Sequence, residues 1–221
     1  MKQSKDFVLA VFVVLTLFVV NSAAQEKQLK WSDLPPAVQQ TADKESKVAT
    51  IRGYSSEVED GKLEYEVATI ANNRTRNVTI DPDGKVVEVE EEVALDAVPA
   101  AARGGLQQKA GDGRITKVVS VKEFGAPVVY EAKVLTAGKK SEIEVGGDGK
   151  VIEVEQEVDL STLPAAIRQG LQQRAGKGKI SKVASIAKND AVVAYEADVF
   201  AGDEKLEVQV GPDGKLLDHE E

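Results

Sequence analysis

Two runs of glutamate are the residues in this chain best placed to do chemistry: Glu88-Val89-Glu90-Glu91-Glu92 and Glu153-Val154-Glu155-Gln156-Glu157. Carboxylates held close together supply general acid–base pairs or a cation site. In an extended strand, however, every second residue faces the same way. Glu88, Glu90 and Glu92, and likewise Glu153, Glu155 and Glu157, then line one sheet face. Catalysis asks for perturbed carboxyls in a cleft, and neither run contains a histidine or lysine to tune them. The expectation is a solvated face.

Other candidates lead the same way. Asp81-Pro82-Asp83-Gly84 has the start of a calcium loop but lacks the third acidic ligand and the closing glutamate of such loops. It reads as a hairpin turn. The chain has one histidine, His219, three residues from the end, and no cysteine, which excludes a Cys/His metal site and speaks against a Ser-His-Asp triad. Tyr65, Tyr130 and Tyr195 fall on a predicted apolar face, where core packing is the reading. Asn73-Arg74-Thr75 and Asn77-Val78-Thr79 match the glycosylation sequon, which matters only in a eukaryotic secretory pathway. No catalytic residue, metal or cofactor is expected, and the chain is not read as an enzyme.

The amino terminus sets the expected compartment. Lys2 and Lys5 precede an uncharged apolar run from Phe7 to Val20, and Asn21-Ser22-Ala23-Ala24 comes next, with small residues at the positions a signal peptidase reads. These are the three parts of a secretory signal; the apolar run is short of the about 20 residues that span a bilayer. Residues 1–24 are therefore expected to be a cleaved signal peptide, with the mature chain periplasmic or secreted and not inserted in a membrane. Cleavage leaves 26 basic and 36 acidic residues, a net charge of −10. An acidic, mixed surface speaks against nucleic acid as a partner, which needs a basic face.

The strongest pattern is internal repetition. Tyr65, Tyr130 and Tyr195 stand 65 residues apart, and 19 residues after each comes a glycine set between Asp and Lys: Gly84, Gly149 and Gly214. Leu34-Pro35, Val98-Pro99 and Leu163-Pro164 open the copies, and 17 residues past each opening apolar position stands Ile51, Ile115 or Ile180. The expected units are 25–93, 94–158 and 159–221.

Each copy reads as a helix followed by four strands. Leu163, Ile167, Leu171 and Ala175 recur every four residues along one helical face, as do Val98, Ala102, Leu106 and Ala110, and Leu34, Val38 and Ala42. Ser32 or Asp33, Asp96, and Ser161 or Thr162 are the expected helix N-caps. The period then drops to two, as in Tyr130, Ala132 and Val134 against Val129, Glu131 and Lys133. The predicted fold is α+β: three tandem units, each one helix packed on a four-stranded antiparallel sheet.

Leu163-Pro164-Ala165-Ala166-Ile167, Tyr195-Glu196-Ala197 and Asp213-Gly214-Lys215 carry a resemblance that extends over nearly all of the mature chain. The pattern resembles the PepSY-like, or β-lactamase-inhibitor-like, domain family. That resemblance implies a bacterial extracytoplasmic protein that binds or inhibits another protein. The inhibitor proteins themselves use two units with disulfides and an aromatic-rich concave sheet, whereas this sequence has three units and no cysteine. The functional expectation is a non-catalytic exported binding module for a protein or peptide; the alternative is a structural or stress-buffering envelope protein. Copy one diverges most, so Trp31, Asn72, Asn73, Arg74 and Arg76 are the candidate partner-binding residues.

Overall fold

The computed structural model describes residues 27–59, 61–202 and 204–217. The expected signal peptide and His219 lie outside the described residues. In chain order the elements are β1 (Lys27–Leu29), α1 (Pro36–Glu45), β2 (Thr50–Glu59), β3 (Lys62–Ala71), β4 (Arg74–Ile80), β5 (Val86–Glu92), α2 (Ala100–Ala110), β6 (Arg114–Glu123), β7 (Val129–Thr136), β8 (Lys139–Gly146), β9 (Val151–Glu157), α3 (Ala165–Ala175), β10 (Lys179–Lys188), β11 (Ala191–Ala201) and β12 (Glu204–Val210).

The strands do not form three sheets. All twelve pair antiparallel in chain order into one sheet, which corrects the expectation of separate four-stranded units. β5 joins β6 (Glu90↔Val121) and β9 joins β10 (Glu155↔Ile186). Pairing runs on into the links, where the Val93 N–H donates to the Val118 carbonyl at 3.0 Å and the Val158 N–H to that of Val183 at 2.9 Å. Separate sheets would leave a row of unpaired backbone groups on each edge; joining them satisfies both rows. The fourth strand expected of the last segment is reduced, among the described residues, to a bridge between Val210 and Leu216.

Each helix gathers one core beneath it. Val38 and Ala42 pack with Val67, Val78 and Ile80; Ala102 and Leu106 with Val118, Ala132 and Ile143; Ile167 and Leu171 with Val183, Ala197 and Val199. The tyrosines Tyr65, Tyr130 and Tyr195 pack half-buried against these same clusters. The expected N-caps are displaced. Each lies in or just after a short 3-10 turn (Trp31–Asp33, Leu95–Ala97, Leu160–Thr162), and the helices start behind Pro35, Pro99 and Pro164 with no side-chain cap. Asp33 instead accepts the Lys30 N–H at 2.9 Å, holding the 3-10 turn. Gly111 and Gly176 end α2 and α3 at φ of 55° and 57°, while α1 ends on Ser46, whose hydroxyl donates to the Ala42 carbonyl at 2.6 Å.

The turns are those the residues demand. Asn72 and Asn73, at φ of 51° and 61°, make the two-residue β3–β4 turn. The calcium-like Asp81 carboxylate is spent on its own turn, accepting from the N–H groups of Asp83 and Lys85 at 3.0 and 2.9 Å. The glycine of each Asp-Gly turn lies against the helix: a side-chain carbon on Gly84 would come within 2.7 Å of the Ala37 carbonyl oxygen.

Adjacent glycines in α2 separate packing from propensity. A Cβ on Gly104 meets nothing within 4 Å, whereas one on Gly105 would overlap the Gly149 carbonyl. Gly104→Ala is expected to stabilise by about 0.5–1 kcal/mol through helix propensity, and Gly105→Ala to destabilise by more than that. Urea unfolding midpoints of the two variants moving in the same direction would contradict this packing.

Candidate functional site

The helices cover one face of the sheet. The opposite face carries the polar members of the strand alternation: Glu57 and Ser55 from β2, Glu66 from β3, Asn77 from β4, Glu88, Glu90 and Glu92 from β5, Glu131 and Lys133 from β7, Glu142 and Glu144 from β8, Glu153 and Glu155 from β9, Lys182 from β10, Glu196 and Asp198 from β11, and Glu207 from β12. Cross-strand pairs such as Glu66↔Ser55, Glu131↔Glu144, Glu142↔Glu155 and Asp198↔Glu207 place them side by side.

This face is not the solvated surface that alternation alone suggests. Glu88, Glu131, Glu144, Glu155, Glu196 and Glu207 are buried, and Glu90, Glu92, Glu153 and Glu157 are half-buried. The reason is curvature. Glu90 in β5 is acted on by Glu57 in β2 and Glu142 in β8, each three strands away, a span of about 14 Å in a flat sheet. Burial of these carboxyls and their reach across three strands mean that the sheet curls towards this face, and carboxyls from distant strands crowd together.

Lysines interleave with them. Lys133 meets Glu142 at 3.1 Å, Lys182 meets Glu155 at 2.9 Å, Lys188 meets Glu153 at 3.8 Å, and Lys117 reaches Glu92 at 3.6 Å and the Thr75 hydroxyl at 2.8 Å. The carboxyls outnumber these cations, and protons make up part of the difference. Burial pushes Glu131 up to about 9, aided by the charge of Glu142 and a hydrogen bond with it. Burial, then Glu153, raises Glu144 to about 8, and burial, then Glu207, raises Glu196 to about 8. Neither carboxyl oxygen of Glu144 has a hydrogen-bond partner within the protein. At Glu196, Asp198 and Glu207 three carboxylates come within 4.8 Å of one another; the Gln209 amide donates to Glu196 at 3.0 Å, and Lys182, bonded to Glu155 at 2.9 Å, is kept charged by Glu155 first and then by Asp198 and Glu196.

The sequence-derived candidates fall in two places. Trp31 sits in the turn before α1, 37% exposed, its ring tilted against Tyr54 with centroids 5.7 Å apart. Asn72 and Asn73 form the β3–β4 turn and Arg74 is exposed beside it. Arg76 is engaged: its guanidinium pairs with Glu45 at 2.7 Å and ties the end of α1 to the sheet. Trp31 precedes α1 and Arg76 meets its last residue, so the two are separated by the roughly 15 Å length of a ten-residue helix. The structure does not bring them into one site.

It does open a groove in the same segment. About 280 Å³ of space lies over the inward face of β2 to β4, walled by Gln28, Arg52, Gly53, Glu66, Ala68 and Asn77. The Asn77 amide donates to Glu66 at 3.1 Å. None of these residues stands out by type. The signal that marks them is positional: two residues after the anchoring isoleucines stand Gly53, Lys117 and Lys182.

Among the described residues, no helix is long and apolar enough to cross a membrane. No protein-family model and no curated protein sequence matches the chain. Solved structures align over part of it. A protein described as periplasmic from Bacteroides eggerthii aligns at 22% identity and a TM-score of 0.47, covering 56% of this chain and 88% of that one. A BLIP-like protein of Bacteroides fragilis gives 20%, 0.44, 56% and 86%. A DUF2874 family protein of Bacteroides uniformis gives 20%, 0.46, 55% and 88%.

The raised glutamates dictate a pH dependence. Unfolded, they titrate near 4.5; folded, Glu131, Glu144 and Glu196 hold their protons to about 8 or 9. The folded state binds more protons on these three groups between those limits, so the stability they contribute is fully present below about 4.5 and is lost as pH rises through 8–9. The urea-derived stability should therefore drop between pH 5 and pH 9. Glu144→Gln, neutral at every pH, should flatten that slope; an unchanged slope would show that Glu144 does not carry a proton in the folded protein.

Proposed function

We propose that the protein is a non-catalytic binding module of the bacterial cell envelope, exported to the periplasm, that takes a protein or peptide partner on the inward face of its first segment. The observation that carries this reading is the groove beside Gly53. It leaves room for a foreign group on the inward face of β2 to β4, while farther along that face glutamates and lysines pair with one another. We further read the three segments as PepSY-like tandem units fused through their edges into one sheet, with the helix-covered side serving stability and the inward side serving recognition.

A non-catalytic role is supported by the chemistry on offer. The chain has no cysteine, and the raised carboxyls sit among like charges and lysines. The segment before residue 25 has the composition of a secretory signal, which agrees with an extracytoplasmic place.

A chemical cross-linking pull-down from envelope extract tests the reading. One stoichiometric partner is the expected result. A diffuse or empty set of captured proteins would overturn it and favour the structural alternative.

A further inference from the structure

β2, β6 and β10 share one irregularity. Their register against the next strand slips between Ile51 and Gly53, between Ile115 and Lys117, and between Ile180 and Lys182. The residue after each slip faces inward, opposite Ala68, Lys133 and Asp198 respectively. In the second and third segments that residue is a lysine whose ammonium is anchored on the inward face, Lys117 at Thr75 and Glu92 and Lys182 at Glu155. The neighbouring β7 and β11 positions hold Glu131 and Glu196, and Glu66 occupies the same register place in β3. The first segment thus keeps the carboxylate and replaces the lysine with a glycine. The groove is the space which that replacement opens.

The space is not a strained accident of the backbone. A Cβ placed on Gly53 would touch only the Gln28 amide oxygen, at an ordinary 3.8 Å. A lysine would therefore fit where the glycine stands, and its stem would lie in the groove.

We propose that this groove receives the lysine side chain of a peptide partner, entering where Lys117 and Lys182 lie in the other two segments. Its methylene stem lies over Gly53 and Ala68, and its ammonium reaches the Glu66 carboxylate and the Gln28 amide oxygen. The groove is lined by polar side chains around small residues, which suits an alkyl chain with a charged tip. Net charge favours a cationic partner, since the whole chain carries −9. Opposing charges nearby, among the described residues, include Arg52, which is exposed at the wall, and Lys117, which donates to Thr75 of the wall at 2.8 Å and meets Glu92 at 3.6 Å. Arg52 faces the peptide residues on either side of the lysine, and an acidic residue there would complement it. This inference rests on the binding-module reading and gives it a chemistry.

Titration of the full mature protein with acetyl-Ala-Lys-Ala-amide, monitored by amide chemical shifts, is the test. Saturable shifts centred on Gly53, Ser55, Glu66 and Ala68 are expected, with binding at least tenfold weaker for the Nε-acetylated peptide. Gly53→Lys should abolish the shifts while thermal unfolding stays cooperative, because the variant fills the groove with its own ammonium. Glu66→Gln should weaken binding at least tenfold without closing the groove. The proposal is overturned by an acetylated or glutamate-containing peptide that binds as well, by a Gly53→Lys protein that still binds, or by no saturable shift at all. A cross-linked envelope partner captured equally by wild type and Gly53→Lys would sink the lysine groove and leave the binding module standing. Saturable lysine binding with no envelope partner would do the reverse.

Discussion

Backbone pairing across the joints, β5 with β6 and β9 with β10, is the constraint on which the rest of the molecule depends. A segment of about 65 residues without disulfides buries a small core and is marginal alone. Its last strand, left unpaired, would also be an open edge. Joining the segments through those edges removes both problems at once. It also commits twelve strands to one continuous sheet, whose polar face is drawn inward and partly buried.

Inward bending explains the chemistry of that face. The same glutamates on a flat sheet would be solvated and ionised. Here six are buried, and the compensating positive charge comes from four lysines and from protons retained on Glu131, Glu144 and Glu196. The arrangement balances desolvation against charge and is tolerable because each lysine lies within an ion-pair distance of a carboxylate. Gly53 is the place where the pattern is broken, and space opens there.

Much of this was legible in the residues. The four-residue spacing of Leu163, Ile167 and Leu171 placed the helices, the Asp-Gly turns placed the hairpins, and the alternation around Tyr130 placed the strands. The joined sheet was not legible, because the outer edge of a strand is backbone and leaves no mark in side-chain pattern. Burial of Glu88 and Glu155 was hidden for a related reason: alternation says which residues share a face, not whether the face curves. The N-caps were misplaced because Asp33 and Thr162 are as suited to a 3-10 turn as to a helix cap. Trp31 and Arg76 drew notice by type, whereas Gly53 is visible only when the residues two places beyond Ile51, Ile115 and Ile180 are compared.

The strict chain order of the strands has a kinetic meaning. Every strand bonds only to its predecessor and successor, so the fold is nearly one-dimensional, and its stability should divide into hairpin terms and nearest-neighbour couplings, as in a short solenoid. Loop closures within a hairpin are small, and the largest, between β5 and β6 or β9 and β10, spans little more than one helix and its turns. Structure begun in any hairpin can therefore grow outward in both directions, and the joints, which carry the longest closures, are where that growth should pause.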